Sequence, residues 1–366
     1  MSEGTTGMHV PVIKVSGDAA TRGRQYGEQA RERIERSVDL YLPAFEARGL
    51  DWPRVRELAR RFADRMADFD PGLVTEIEAI AAGAGLETEH VVALNARTEL
   101  LFWQDDGCTG VAVLPEVSAN EHTLLAQNWD WRPGCSETVV LLDARPDTGP
   151  GFRTFVEAGL LARSGVNDVG IGITGNFLQS NEDFGGNGVP IPLIRRRILT
   201  SPSLADALGE VVRAPRAFSS NHLIAHAPGE AIDCESAPSD VFFLHPTDGL
   251  LVHSNHFLSP VALGRLRDTG IARFPDTLYR HRRLERLLRR NAPAITVDHV
   301  KDALRDHYGL PSSICRHPAP RPDGTVIATV ASVVMDLHTR QISLSTGCPC
   351  ENDYVEHRAE EVNDAQ

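Results

Sequence analysis

The apolar side chains of this chain change their period once, and that change limits the fold more than any other feature. Up to about residue 100 they recur every three or four positions, as in amphipathic helices. From Gly110 they gather into short runs rich in β-branched and aromatic residues, separated by Gly, Pro, Asn and Asp. A chain that opens as helices and continues as strands fits neither a helical bundle nor an all-β sandwich. It predicts sheets covered by helical layers, an α+β architecture.

Tyr26, Ala30, Ile34, Val38 and Tyr41 predict one helix, and Val55, Leu58, Phe62 and Met66 a second. Leu73, Val74, Ile77 and Ala81 predict a third that stops at the glycines of AAGAGL, and EHVVALNARTELLF continues the helical block. The strand candidates up to Phe177 are GVAVL, HTLLAQNWDW, TVVLLDA, FRTFVEAGLLA and GIGITGNF. Helix returns over 190–213, followed by strands in NHLIAHA, AIDCES, VFFLHP and LLVHSNHF. Helices over about 275–291 and 296–308 precede two closing strands, VIATVASVVMDL and QISLSTG. No internal repeat or low-complexity linker divides the chain.

Charge narrows the partners. With 37 Lys and Arg against 50 Asp and Glu, the net charge is −13, which opposes a phosphate backbone and an anionic membrane surface. The start, MSEGTTGMHVPVIKV, has no basic region leading into a sustained apolar stretch, and no segment has the roughly 18 apolar residues of a membrane span. The expected setting is the cytoplasm. Cys108, Cys135, Cys234, Cys315, Cys348 and Cys350 are scattered and not spaced as a small disulfide framework, so most of them are expected to be free thiols. Association of identical chains is left open.

The helical block gives way to sheet at Gln104-Asp105-Asp106-Gly107-Cys108-Thr109-Gly110. A cysteine here can be an ordinary small hydrophobe. Its neighbours argue otherwise: Asp105 and Asp106 make a polar approach, and Gly107 permits strained backbone and opens its own carbonyl to the following thiol.

GCTG at 107–110 followed by QNWDW at 127–131 resembles the self-cleaving acyltransferase family typified by acyl-CoA:isopenicillin N acyltransferase, among the N-terminal nucleophile (Ntn) hydrolases. LNARTEL at 94–100, VGIGITGNF at 169–177, HSNHF at 253–257, TLYRHRRLERLL at 277–288, SSICRHP at 312–318 and STGCPC at 345–350 appear in the family's order. Each motif is weak alone; their joint order carries the resemblance over nearly the whole chain.

The resemblance implies a four-layer αββα sandwich and a precursor that cuts itself between Gly107 and Cys108. Residues 1–107 would be a helical pro-segment that stays bound, and 108–366 the catalytic region. Cys108 would then supply both the thiol nucleophile and, through its new α-amine, the base. An α-amine has a reference pKa of about 7.7–8.0, so it exchanges protons near neutrality. Asp130 would orient the Cys108 ammonium through a charge-assisted hydrogen bond, its plainer alternative being a turn aspartate. Related bile-salt hydrolases carry an arginine three positions before this aspartate, where this chain has Gln127. Asn255, with Asn176 second, would supply the oxyanion hole or bind the substrate carbonyl, unless each only satisfies its own turn. Thr109 and Trp129 flank the site as substrate-binding candidates. A functional arginine or serine is implied near 280, which makes Arg280, Arg282 and Arg283 candidates, with Arg280 and Arg283 preferred.

Metal chemistry is not expected. His222 and His226 on one strand would sit roughly 13 Å apart, and His253 and His256 would point to opposite faces. Cys348-Pro349-Cys350 lacks a second pair at zinc-ligand spacing, and FGGNGVP lacks the Lys-Ser/Thr of a phosphate loop. No cofactor is expected, with acyl-CoA possible only as a substrate. The expected function is acyl transfer or amide hydrolysis on a small N-acyl compound through a Cys108 thioester. The alternatives are a β-alanyl-amine or N-acyl amino acid hydrolase that does not use acyl-CoA, a cysteine protease with a Cys–His pair, and a non-cleaving scaffold of the same fold.

Overall fold

The computed structural model describes residues 10–101, 107–183, 188–321 and 324–358. Strand β1 (Val12–Gly17) leads into α1 (Ala19–Gln29), α2 (Arg31–Glu46), α3 (Trp52–Phe69), α4 (Pro71–Ala84), α5 (Thr88–Asn95) and α6 (Arg97–Leu100). Next come β2 (Gly107–Val113), β3 (Leu124–Trp131), β4 (Val139–Pro146), β5 (Phe152–Glu157), β6 (Ser164–Asn167) and β7 (Ile171–Thr174), then α7 (Ile191–Leu199) and α8 (Leu204–Arg213). Strands β8 (Ser220–His226), β9 (Glu230–Ser236), β10 (Val241–Leu244) and β11 (Leu250–His253) precede α9 (Pro260–Leu263), α10 (Asp276–Arg289) and α11 (Val297–Leu304). The last strands are β12 (Ala319–Pro320), β13 (Val326–Asp336), β14 (Gln341–Thr346) and β15 (Val355–His357).

Two sheets result. The first runs β1-β4-β5-β6-β7-β8-β9-β10, and the second β11-β2-β3-β13-β14-β15 with β12 paired to β13. β2, β3 and β7 are buried along their whole length, as strands enclosed on both faces must be. The sheets meet through β2, β3 and β11 against β7, β8 and β9. Helices α1, α7 and α8 cover the first sheet, and α10 and α11 cover the second, giving the αββα layering. No helix among the described residues is long and apolar enough to cross a membrane.

The helical opening is less uniform than its periodicity suggests. The stripe from Tyr26 to Tyr41 is two helices, because Ala30 leaves helical geometry (φ −110°, ψ 13°). Val12–Gly17 is a strand, with Ile13 and Val15 buried and their neighbours exposed, and it pairs parallel to β4. The stretch 190–213 is also two helices, and Ser164–Asn167 forms a strand of its own.

Helices α1 and α4 cross at glycines. A Cβ on Gly23 would collide with the Glu76 carbonyl, and one on Gly27 with the Ile80 carbonyl, so only glycine allows this approach. The block is then tied to the strands by buried polar contacts. Tyr41 Oη donates to Glu157 at 2.6 Å and accepts from Arg97 at 2.8 Å and from the Trp131 indole at 2.7 Å. Arg196 pairs with Glu76 at 2.8 Å, both within the core.

Candidate active site

Cys108 is the second residue of β2, which lies between the edge strand β11 and β3 in the second sheet, and is fully buried. Its main chain is gripped on both sides. The Cys108 N–H donates to Asn255 Oδ1 at 2.9 Å, and its carbonyl accepts from Arg280 Nη1 at 2.7 Å. Arg280 also donates to Thr109 Oγ1 at 2.8 Å and to Asn255 Oδ1 at 2.8 Å. Asn255 follows the end of β11, its N–H held by Thr277 Oγ1 at 2.7 Å and its Nδ2 donating to the Phe177 carbonyl at 3.0 Å. The face that Asn255 turns to Cys108 is therefore an acceptor, which suits holding a nitrogen better than polarising a carbonyl.

The thiol has a cationic neighbour. Arg163 Nη2 lies 3.6 Å from Cys108 Sγ, and its guanidinium stacks over the Trp129 ring at 4.0 Å. Trp129 is the cross-strand partner of Cys108, so the two side chains share one face of the sheet. Nothing in the sequence patterns singled out Arg163. The available signal was a charge inside the apolar run FVEAGLLARSGV, where a buried arginine needs partners.

Asp130 is the partner of Gly107 across β2 and β3, one step from Cys108. A Cβ at Gly107 would stand 2.9 Å from Asp130 Oδ2, so the glycine makes room for the carboxylate. This close approach accounts for the residue without an appeal to strained backbone. Asp130 accepts from Thr329 Oγ1 at 2.7 Å and from Arg316 Nε at 3.3 Å. Burial raises its pKa against the opposing pull of Arg316 and Arg280. Arg316 and Arg280 also converge on Asp276 Oδ2, at 2.5 and 2.8 Å. There burial is outweighed by the two guanidinium groups, and the Asp276 carboxyl is held below its ordinary range. Arg316 and Asp276 were not foreseen, because the helix and the loop that bring them together are far apart in sequence.

Asn176 lies just after β7, where its Oδ1 accepts from Gln127 Nε2 at 2.7 Å and its Nδ2 donates to the Ser254 carbonyl at 2.8 Å. Gln127 Oε1 in turn accepts from Ser164 Oγ at 2.7 Å. Gln127 is thus part of a neutral buried network. Arg163, Asn176, Phe177, Pro192, Arg97 and Arg195 line a narrow cleft beside this network, with free space of about 20 Å³.

Of the three arginine candidates on α10, Arg280 reaches Cys108. Arg283 forms a two-point pair with Asp306, at 3.0 and 2.7 Å. Arg282 pairs with Glu285 on the exposed face. The spacing on α10 puts Arg282, about half a turn round from the buried Arg280, on the solvated face. Gln104, Asp105 and Asp106 lie outside the described residues.

None of the six cysteines forms a disulfide. Of the histidine pairs, His253 Nε2 contacts Glu235 at 2.8 Å and His256, which lies beyond the end of β11, contacts Thr277 Oγ1 at 2.8 Å, while neither ring nitrogen of His222 has a hydrogen-bond partner among the described residues. Local spacing does not show one further grouping. Among the described residues, His307, Cys315, His317 and Cys350 bring one ligand atom each within 4.8 Å of the others, and His317, Cys348 and Glu351 form an overlapping group.

Residues 117–351 match the family model described as acyl-coenzyme A:6-aminopenicillanic acid acyl-transferase. Over 349 residues the chain is 26% identical to the acyl-coenzyme A:6-aminopenicillanic-acid-acyltransferase 40 kDa form of Emericella nidulans, covering 92% of each chain. Penicillin V acylase from Agrobacterium tumefaciens is similar at TM-score 0.44 and 13% identity, covering 65% of this chain and 83% of that one. A variant of conjugated bile acid hydrolase from Clostridium perfringens is similar at TM-score 0.45 and 12% identity, covering 71% and 99%. These two likenesses are too loose to bear on the site. The family match covers most of the chain, and the chain therefore belongs to the acyl-coenzyme A:6-aminopenicillanic acid acyltransferase family, a family of enzymes.

Proposed function

We propose that this chain cuts its own backbone before Cys108 and then uses that residue as the nucleophile toward small N-acyl compounds or acyl-CoA donors. In the first reaction Sγ attacks the Gly107 carbonyl carbon and the Gly107–Cys108 C–N bond breaks. The thiol proton passes to the departing nitrogen and a thioester remains. Water then hydrolyses the thioester, leaving the Gly107 carboxylate, the Cys108 thiol and a free α-amine. Residues 1–107 would stay as a pro-segment beside the catalytic region 108–366.

In turnover the α-amine takes the thiol proton, with nucleophile and base fixed on one residue. Sulfur attacks the substrate carbonyl, the leaving amine or thiol departs with a proton, and the acyl group rests on Cys108. Transfer to water or to an amine completes the cycle. Both outcomes share the thioester, so the partition depends on how well the cleft excludes water and holds an amine.

The observation that carries this reading is the clamp on Cys108. Asn255 holds its nitrogen, Arg280 its carbonyl, and Arg163 sets a positive charge against the sulfur that must bear negative charge during attack. The pairing of Asp130 with Gly107, one residue away in register, supports a role for its carboxylate in countering an ammonium at the new terminus.

Intact mass of the purified protein tests the first step: wild type should appear as residues 1–107 and 108–366, and Cys108→Ala as one chain. A panel of N-acyl amines and acyl-CoA donors with thioester trapping on Cys108 tests the second. A wild-type chain that stays whole, or turnover that persists in Cys108→Ala, would overturn the proposal.

A further inference from the structure

The cluster formed by His307, Cys315, His317 and Cys350 is assembled from distant parts of the chain. His307 follows α11, Cys315 and His317 lie on the segment approaching β12, and Cys350 sits in the turn after β14. These pieces are fastened together by backbone. The Cys315 N–H donates to the Asp306 carbonyl at 3.0 Å, which sets His307 beside the cysteine. Arg316 and Thr329 exchange two hydrogen bonds of 2.9 Å, which fixes the segment along β13. Arg305 Nε donates to the Pro349 carbonyl at 2.9 Å and holds the third piece.

The donor atoms converge on one point. Cys315 Sγ and Cys350 Sγ are 3.5 Å apart, too far for a bond and close for two unbonded thiols. His317 Nε2 is 3.2 Å from Cys350 Sγ, 3.2 Å from His307 Nε2 and 4.0 Å from Cys315 Sγ. A tetrahedral zinc ion with ordinary Zn–S and Zn–N bonds sets its ligands about 3.3–3.8 Å apart. A single hydrogen bond explains one of these approaches, whereas a shared cation explains all four. On its other side His317 Nδ1 lies 3.5 Å from Glu351, as when a carboxylate fixes the tautomer of a ligating histidine.

We infer that His307, Cys315, His317 and Cys350 form a structural zinc site that clips the loop carrying Arg316 to the turn after β14. Four protein ligands leave no open position, so the site is structural and not catalytic, and Cys2His2 donors select zinc over hard cations. Binding requires both cysteines as thiolates and releases their two protons to solvent. Arg316 lies between two of the ligands and reaches Asp130 and Asp276, so the clip would hold the ion-pair network beneath Cys108 in place. Cys348 is left out of the four: its Sγ donates to the Arg316 carbonyl at 3.4 Å.

The test is metal content of the full chain saturated with zinc chloride and then desalted, read by inductively coupled plasma mass spectrometry. Wild type should hold about one zinc per chain. Cys315→Ser and Cys350→Ser should lose at least about tenfold, while Cys348→Ser keeps its zinc. If the variants fail to fold, cobalt(II) in the wild-type protein decides the matter: tetrahedral d–d bands with thiolate-to-cobalt charge transfer are expected. Folded wild type without stoichiometric zinc, a cobalt spectrum lacking thiolate bands, or zinc lost in Cys348→Ser but kept in Cys350→Ser would overturn the assignment.

Discussion

The Arg163 guanidinium stands 3.6 Å from Cys108 Sγ and is pinned there by the Trp129 ring. A fixed cation at that distance favours the ionised form of a buried nucleophile, since one unit of pKa corresponds to about 1.4 kcal/mol. Arg163→Met should therefore move the acid limb of the kcat/KM profile upward by about one pH unit and lower activity at pH 7 about tenfold. Arg163→Lys should recover part of it. An unchanged acid limb in Arg163→Met would show that the charge is irrelevant to the sulfur.

Gly107→Ala should disturb the strand pair at its most crowded point, because the new methyl would stand 2.9 Å from Asp130 Oδ2. Overpacking of this kind costs roughly 1–3 kcal/mol. Measured by urea unfolding in a Cys108→Ala background, which keeps a single chain for comparison, the midpoint should fall. An unchanged midpoint would mean that Asp130 moves aside freely.

Arg280→Met removes four contacts at once, to Cys108, Thr109, Asn255 and Asp276. Loss of one partner from a buried ionic cluster costs about 3–5 kcal/mol. Chemical denaturation should show that loss, and a double-mutant cycle with Asp276→Asn should show strong coupling. Additive effects of the two changes would contradict a shared network.

His253 gives a pH signature. Burial opposes its charge, but Asp233 and Glu235 outweigh this and raise its pKa from the ordinary 6.5 to about 9. A cationic group with a raised folded-state pKa contributes stability that is complete below about pH 6.5 and lost as pH climbs through about 9. Asp233, pushed up to about 6 chiefly by burial, adds a loss at lower pH in the same direction. Urea midpoints of wild type should decline between pH 6.5 and 9, and His253→Gln should abolish that upper decline while keeping the lower one. A decline that survives in His253→Gln would assign it to other groups.

The layered α+β fold was readable because Val, Ile and Leu runs change from period 3.6 to short strands near residue 110, and burial enforces that pattern. The Ala30 break escaped because both halves keep the same apolar stripe. Strand β1 escaped because six residues of period two precede a strong helical signal. Cys108, Asp130, Asn255 and Arg280 were named from the ordered motifs, and Asn255 and Arg280 both contact the Cys108 main chain. Arg163, Asp276 and Arg316 were not, since only packing of β5–β6, α10 and the segment before β12 brings them to one place. The grouping of His307, Cys315, His317 and Cys350 is invisible to spacing rules for a related reason: those rules address ligands carried on one loop, whereas this group draws on three.

Strand β1 belongs to the N-terminal segment, yet its ladder partner β4 comes after residue 108. A nick at Gly107 would therefore liberate no peptide. The severed piece would remain laced edge to edge into its sister's sheet, so gel filtration would report an undivided particle while denaturing electrophoresis showed two bands.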